Sequence, residues 1–178
     1  MSDKGVITGP GTIRFERTFP APIERAWAHL VEPEKRARWF CGGAIEPRVG
    51  GRFDLDFDHR RITDRAEATP EEYEAMAEGV HFDGRVTAWD PPRRFGYAWI
   101  EEDFGESEVT FDLAAAGDGV RLTVTHRGLG DDERVSAAAG WHAHLDILGD
   151  DLAGRPRRAF WSEHAKHEIA YAAAKGFA

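Results

Sequence analysis

The stretch Asp131–Leu152, DDERVSAAAGWHAHLDILGDDL, limits what this chain can fold into more than any other. Ala138, Trp141, Leu145, Leu148 and Leu152 recur at spacings of three and four, with Val135 near the start, so a helix here carries one continuous apolar stripe. Asp131, Asp132 and Glu133 stand where the first turn is expected, their charge facing the positive end of the helix dipole. Such a stripe needs an apolar surface to lie on, and most of the chain before it reads as strands.

Thr12–Phe19 alternates Ile13, Phe15, Arg17 and Phe19 on one face with polar residues on the other, the period of a half-buried strand. Arg17 interrupts the apolar row and is expected at the sheet rim with its head in water, the alternative being a polar spot of a cavity. Pro22 suits the first position of a short helix lined by Ile23, Trp27 and Leu30, and a second helix is expected over Pro33–Arg38. Trp39 and Phe40 follow it, either as core plugs or as the wall of a ligand mouth.

Gly42-Gly43 and Gly50-Gly51 bracket Ala44–Val49, which predicts a short strand and a hairpin into Arg52–Asp58. There Phe53, Leu55 and Phe57 face one way and Asp54, Asp56 and Asp58 the other; the carboxylates fit a solvated outer face better than a calcium site, since no glycine-bearing ligand loop accompanies them. His59–Gly79 departs from the strand rhythm, and Thr69-Pro70-Glu71-Glu72 predicts a capped helix from Pro70 to about Glu78, closed by Gly79, which acts as a lid or as an elaborated loop. Val80, Phe82, Val86 and Ala88 share a face, with Gly84 marking a bulge or bend. Trp89–Arg93 reads as a turn, Arg94–Ile100 as a strand, Glu101–Gly105 as a turn, and Ser107–Leu113 as a strand. Gly117-Asp118-Gly119 is a hairpin signal leading to the inward row Val120, Leu122, Val124 and His126. Beyond Gly154, Arg157–Ala173 predicts a further helix with Phe160, Trp161, Ala165, Ile169 and Ala172 on one side, folding back on the domain or building a homodimer.

With 178 residues, 42% of them apolar, the chain supports one well-buried core. We divide it into a domain over 1–154, with an insertion at 59–79, and a helical extension over 155–178. A formal charge of −9 without a dense Lys/Arg block argues against nucleic acid and anionic membranes as partners. The N-terminus lacks a signal-peptide core, no run suits a bilayer span, and the single Cys41 is read as a small buried hydrophobe, all of which predicts a cytoplasmic protein.

One strand, two short helices, a meander of strands and a long C-terminal helix form a recognisable order. The blocks FERTFPAPIERAWAHLVEPEKRARWF, GGRFDLDF, GRVTAWDPPRRFGYAW, SEVTFDL, GDGVRLTVTHRGL and GWHAHLDILGDDLAG resemble the START-like, Bet v 1-like (SRPBCC) superfamily, and within it the branch named after the activator of Hsp90 ATPase. The resemblance covers roughly residues 12 to 154. It implies an α+β helix-grip fold, with a curved antiparallel sheet of six to seven strands around the long helix and an apolar cavity between them for a small hydrophobic molecule. It also raises co-chaperone action on an Hsp90-type ATPase, or a cyclase or dehydratase activity. Taken from the inward rows and the helix stripe, the expected cavity positions are Trp27, Trp39, Phe53, Leu55, Phe57, Phe82, Phe95, Tyr97, Trp99, Phe111, Trp141, Leu145 and Leu148.

The candidate chemistry is sparse. His126 at the end of an apolar row, His144 beside the helix stripe, and Arg17 are the candidate proton carriers, each read more simply as a hydrogen-bonded structural residue. His142 and His144 point to different sides of a helix, His164 and His167 share a face without a completing ligand, and no metal or cofactor is expected. His142 and Asp146, at i and i+4, are placed for a helix-face hydrogen bond. No nucleophile elbow or phosphate-cradling loop is present.

Overall fold

A computed structural model describes residues 4–101, 105–174 and 176–177. The strands are β1 (Val6–Gly9), β2 (Thr12–Phe19), β3 (Arg52–Phe57), β4 (Val80–Asp90), β5 (Arg94–Glu101), β6 (Gly105–Ala116) and β7 (Gly119–Arg127). They form one antiparallel, curved seven-stranded sheet of order β1-β2-β7-β6-β5-β4-β3. Helices α1 (Ile23–Val31) and α2 (Pro33–Arg36) follow β2; α3 (Arg134–Leu152) lies in the grip of the sheet, and α4 (Phe160–Ala172) packs along α3. This is the helix-grip architecture. No helix among the described residues is long and apolar enough to cross a membrane.

The inward rows pair as their alternation requires. Phe15 stands opposite Val124, Val124 opposite Phe111, and Phe111 opposite Phe95. Trp141, Leu145 and Leu148 of α3 are buried with them. The second face of α3 is covered too, since α4 packs along it and His142 stacks on His167 of α4 at 3.6 Å.

Several elements differ from the sequence expectation. β1 pairs with β2 through a turn at Pro10-Gly11, where Gly11 takes φ +58° and a side chain would strike the Leu129 carbonyl. Ala44–Val49 forms no strand; the isolated bridges Gly42–Asp56 and Ile45–Phe53 are all that Gly43 at φ +96° and the donor-less Pro47 allow. The expected helix Pro70–Glu78 is a 3-10 helix, Glu71–Met76, broken at Tyr73 (φ −115°, ψ 17°), whose hydroxyl reaches Ser136 and Glu168 at 3.0 Å each. The bulge falls between Val86 and Ala88, not at Gly84, where a Cβ would sit 2.7 Å from Leu55. That extra residue turns Trp89, expected in a turn, into a strand residue packed on Trp27 at 5.4 Å. α2 stops at Arg36 rather than Arg38. α3 begins at Arg134, so Asp131 and Asp132 precede it and Glu133 instead accepts the Gly130 amide at 2.6 Å. Arg17 is buried rather than at a wet rim, its guanidinium 5.7 Å from the Phe15 ring centre. Glu101 and Gly105, the ends of the expected turn, belong to β5 and β6, and residues 102–104 lie outside the described residues.

Charged residues fasten the chain to α3 and α4. Arg38 grips Asp151 with bonds of 2.5 to 3.1 Å, and His29 reaches the same carboxylate at 3.2 Å. Asp150 accepts from Arg155 and Arg158, while Arg157 pairs with Asp64 and donates to the Arg38 and Arg61 carbonyls. Glu67 accepts the Trp161 and Ser162 amides at 2.6 and 3.1 Å and so caps α4 from the 59–79 insertion.

Arg36 is the least expected core residue. It is almost fully buried, stacks 4.7 Å from the Phe53 ring centre, and donates to the carbonyls of Leu30, Val31, Cys41, Gly42 and Gly43. It satisfies the end of α1 and the irregular segment leading to β3 together. Arg36→Met keeps the stem and removes every donor, and is expected to cost about 3 kcal/mol. Urea unfolding measures this directly; a loss below about 1 kcal/mol would mean those carbonyls find other donors.

Candidate functional site

The sheet and helices do not meet everywhere. A cavity of about 440 Å³ remains between strands β3 to β7, α3, α4 and the 59–79 insertion. The sheet supplies Phe57, Phe82, Trp99, Ser107 and His126; α3 supplies Ser136, Ala137, Gly140, Trp141 and His144. Phe160, Trp161 and His164 of α4 and His59, Tyr73 and Met76 of the insertion close it, with Phe40 and the loop before α3 completing the wall.

Of the expected cavity positions, the structure brings Phe57, Phe82, Trp99 and Trp141 to this wall. Trp39, Phe53, Leu55, Phe95, Tyr97, Phe111, Leu145 and Leu148 are packed core instead. Their bulk fills that end of the grip: the Phe53 ring is 4.8 Å from Tyr97 and 5.5 Å from Phe95, and Phe95 stacks on Phe111 at 5.9 Å. Trp27 lies half-buried outside, against Trp89. His126 and His144 do face the cavity, whereas Arg17 does not. Sequence patterning missed the contribution of α4 and the insertion, because their aromatic residues follow no strand or helix stripe that points at the sheet. His59, Tyr73, Phe160 and Trp161 in segments outside the meander were the available signal.

Three polar side chains of the wall, His126, Trp141 and His144, have fixed hydrogen-bond roles, while His59 Nδ1 and Trp99 Nε1 are buried without a hydrogen-bond partner among the described residues. His144 Nδ1 lies 2.7 Å from the Trp39 carbonyl, which only accepts, so Nδ1 carries the proton and Nε2 keeps its lone pair. Trp141 Nε1–H donates to His126 Nδ1 at 3.1 Å, which puts the His126 proton on Nε2, where it donates to Ser107 Oγ at 2.9 Å. Burial pushes the His126 imidazole down to about 4. It does the same to His59, helped by nearby His164, and drives His144 well below the usual histidine range, so these rings are neutral at pH 7. Cys41 is buried outside this wall, and desolvation pushes its thiol up to about 12, which removes it as a nucleophile.

A separate cluster joins α3 to α4. His167 Nε2 lies 3.2 Å from Asp146 Oδ2, and His142 Nε2 lies 3.9 Å from Oδ1, too far for the expected helix-face hydrogen bond. All three donor atoms fall within 4.8 Å of one another, the spacing of a metal ligand set. The two imidazoles, however, stack at 3.6 Å and 10°, so their lone pairs run side by side instead of converging, and Arg158 already occupies Asp146 at 3.2 Å. The cluster reads as a hydrogen-bonded staple. His164 faces the cavity and not this cluster, so His164 and His167 serve different sites.

The depressed histidines set the acid limit of the fold. With folded values of about 4 for His126 and His59 and about 3 for His142, against about 6.5 unfolded, the unfolded chain binds more protons as pH falls. Stability is therefore full above about pH 6.5 and declines toward pH 4, by on the order of 3 kcal/mol for His126 alone. Between about pH 6.5 and 5 the carboxylates contribute little, and urea midpoints there are expected to fall with pH; a flat profile contradicts neutral buried imidazoles.

The family model described as activator of Hsp90 ATPase homolog 1-like protein matches residues 20–153. Among solved structures, the chain is similar to a Bordetella parapertussis protein determined by solution NMR, at 37% identity and TM-score 0.80, over 97% of this chain and 90% of that one. CalU16 from Micromonospora echinospora (23% identity, TM-score 0.69, covering 97% and 98%) shares the fold. So does DynU16, from the dynemicin biosynthetic locus (22%, TM-score 0.61, covering 84% and 50%). No curated protein matches. The match runs from the end of β2 through α3, the elements that build the grip, and the chain belongs to the activator of Hsp90 ATPase homolog 1-like family, within the START-like, Bet v 1-like superfamily.

Proposed function

We propose that this protein binds a small hydrophobic molecule between the sheet and α3. The observation that carries the reading is the cavity of about 440 Å³ walled by Phe57, Phe82, Trp99, Trp141, Phe160 and Trp161, left open in a domain whose other end is filled by aromatic rings. Interiors pack closely by default, and an apolar space of this size with a few fixed polar groups is the usual form of a ligand site. The likeness to DynU16, a protein of a biosynthetic locus, leans toward a small-molecule ligand. Neutral histidines in the wall serve as hydrogen-bond partners for it, and the insertion and α4 hold it from the open side.

Gly140 gives a clean test. It sits inside α3, lines the cavity, and a Cβ there meets nothing within 4 Å. Gly140→Leu therefore projects bulk into the open space while removing a helix-interior glycine, so stability is expected to rise by about 0.5–1 kcal/mol. Binding of the neutral dye Nile red, followed by its fluorescence, is expected to weaken at least tenfold in the same variant. Unchanged dye binding, or no dye binding to the parent protein, would count against an internal site.

A further inference from the structure

The 59–79 insertion divides into two parts that are held very differently. The first is clamped to α4: Asp64 takes the Arg157 amide at 2.8 Å and its guanidinium at 2.6 Å, and Glu67 takes the Trp161 and Ser162 amides and the Ser162 hydroxyl. The second part is fastened lightly. No residue of the 3-10 helix Glu71–Met76 is buried, and the Tyr73, Ala77 and Gly79 amides bond only to carbonyls of the same stretch, those of Pro70, Glu74 and Met76. Among the described residues, Tyr73 is the one side chain of this helix with a hydrogen bond to the rest of the protein. Its hydroxyl gives its proton to Glu168 and accepts from Ser136, and its ring lies on Trp161 at 5.0 Å and 23°. Tyr73 and Met76 face the cavity, and beyond them Arg60 pins Glu78 at 3.0 Å before the chain turns into β4 at Gly79, φ +90°. A stretch with so little burial opens at a small fraction of the cost of global unfolding.

Resting on the binding reading above, we propose that residues 71–77 are the gate of the cavity: they swing away from Trp161 and Ser136 to admit and release a ligand, with the Tyr73 hydroxyl as the latch, while α4 and residues 59–67 stay in place. The latch holds the empty and the filled protein alike. Weakening it therefore raises the open population of both, so entry and exit quicken by the same factor and the affinity stays where it was. A contact that only shaped the wall behaves otherwise, because its loss leaves entry as it is and shows in exit and affinity.

Hydrogen exchange followed by NMR reads the motion without any ligand. The Ala77 amide is expected to be protected about tenfold less than the Trp161 amide, and Tyr73→Phe to lower the protection of Ala77 a further three- to tenfold, roughly, while leaving Trp161 unmoved. Stopped-flow mixing with Nile red then reads the gating. Glu168 lies outside the cavity wall, and Glu168→Ala is expected to raise the entry and exit rates together, by roughly three- to tenfold, with the dissociation constant within about twofold of the parent's. Glu168→Gln, which keeps an acceptor for the Tyr73 hydroxyl, is expected to hold the parent's rates. Rates unmoved by Glu168→Ala, a change confined to exit, or equal protection of Ala77 and Trp161 would overturn the gate, while dye uptake by the parent keeps the binding reading. No dye uptake by the parent would overturn the binding reading, and exchange alone would then decide whether the segment swings.

Discussion

The structure depends on α3 being covered on two sides. A helix gripped by a curved sheet alone buries one stripe and leaves the opposite face in water. Here α4 takes that face, so His142 and His144 are buried together with Trp141, Leu145 and Leu148, and near the C-terminal end Asp150 and Asp151 are buried as well. Buried polar groups need partners, and they obtain them from distant parts of the chain. Asp151 draws in Arg38 and His29, Asp150 draws in Arg155 and Arg158, and His144 takes the Trp39 carbonyl. These pairings bring α1, the segment after α2, and the link into α4 to the same helix.

The same double coverage explains why the cavity sits where it does. At the end of the grip near α1, Phe53, Phe95, Tyr97 and Phe111 interlock and leave no space. At the other end the strands bring Ser107 and His126 beside Phe57, Phe82 and Trp99, and the insertion and α4 bridge the gap without filling it. Glu67 capping α4, Asp64 holding Arg157, and Tyr73 reaching Ser136 and Glu168 make insertion and helix into one cover. The cavity is thus bounded by the way the insertion and α4 rest against the sheet and α3, while His126 and His144 in its wall are held by Ser107, Trp141 and the Trp39 carbonyl.

Within the wall, the polar roles of His126 and His144 follow from neighbours that have no choice. An indole N–H can only donate, a carbonyl can only accept, and these two facts fix the tautomers of His126 and His144. Low local polarity keeps both rings neutral, which makes them directional hydrogen-bonding groups instead of charges.

By itself the sequence determined strands β2 to β7, the hairpin at Gly117-Asp118, the apolar stripe of α3 and the helix-grip order, because period-two and period-3.6 patterns report directly which face of an element meets a core. Phe57, Phe82, Trp99, Trp141, His126 and His144 were legible as inward-facing for the same reason. Only the tertiary structure decided which inward residues fill the core and which border open space, since alternation gives a side and not a depth along the sheet. It also decided that Arg36 is buried against backbone carbonyls, that a bulge before Ala88 turns Trp89 inward, and that Phe160, Trp161, His59 and Tyr73 close the cavity. Those outcomes rest on contacts between segments far apart in the chain, where no local period carries the information.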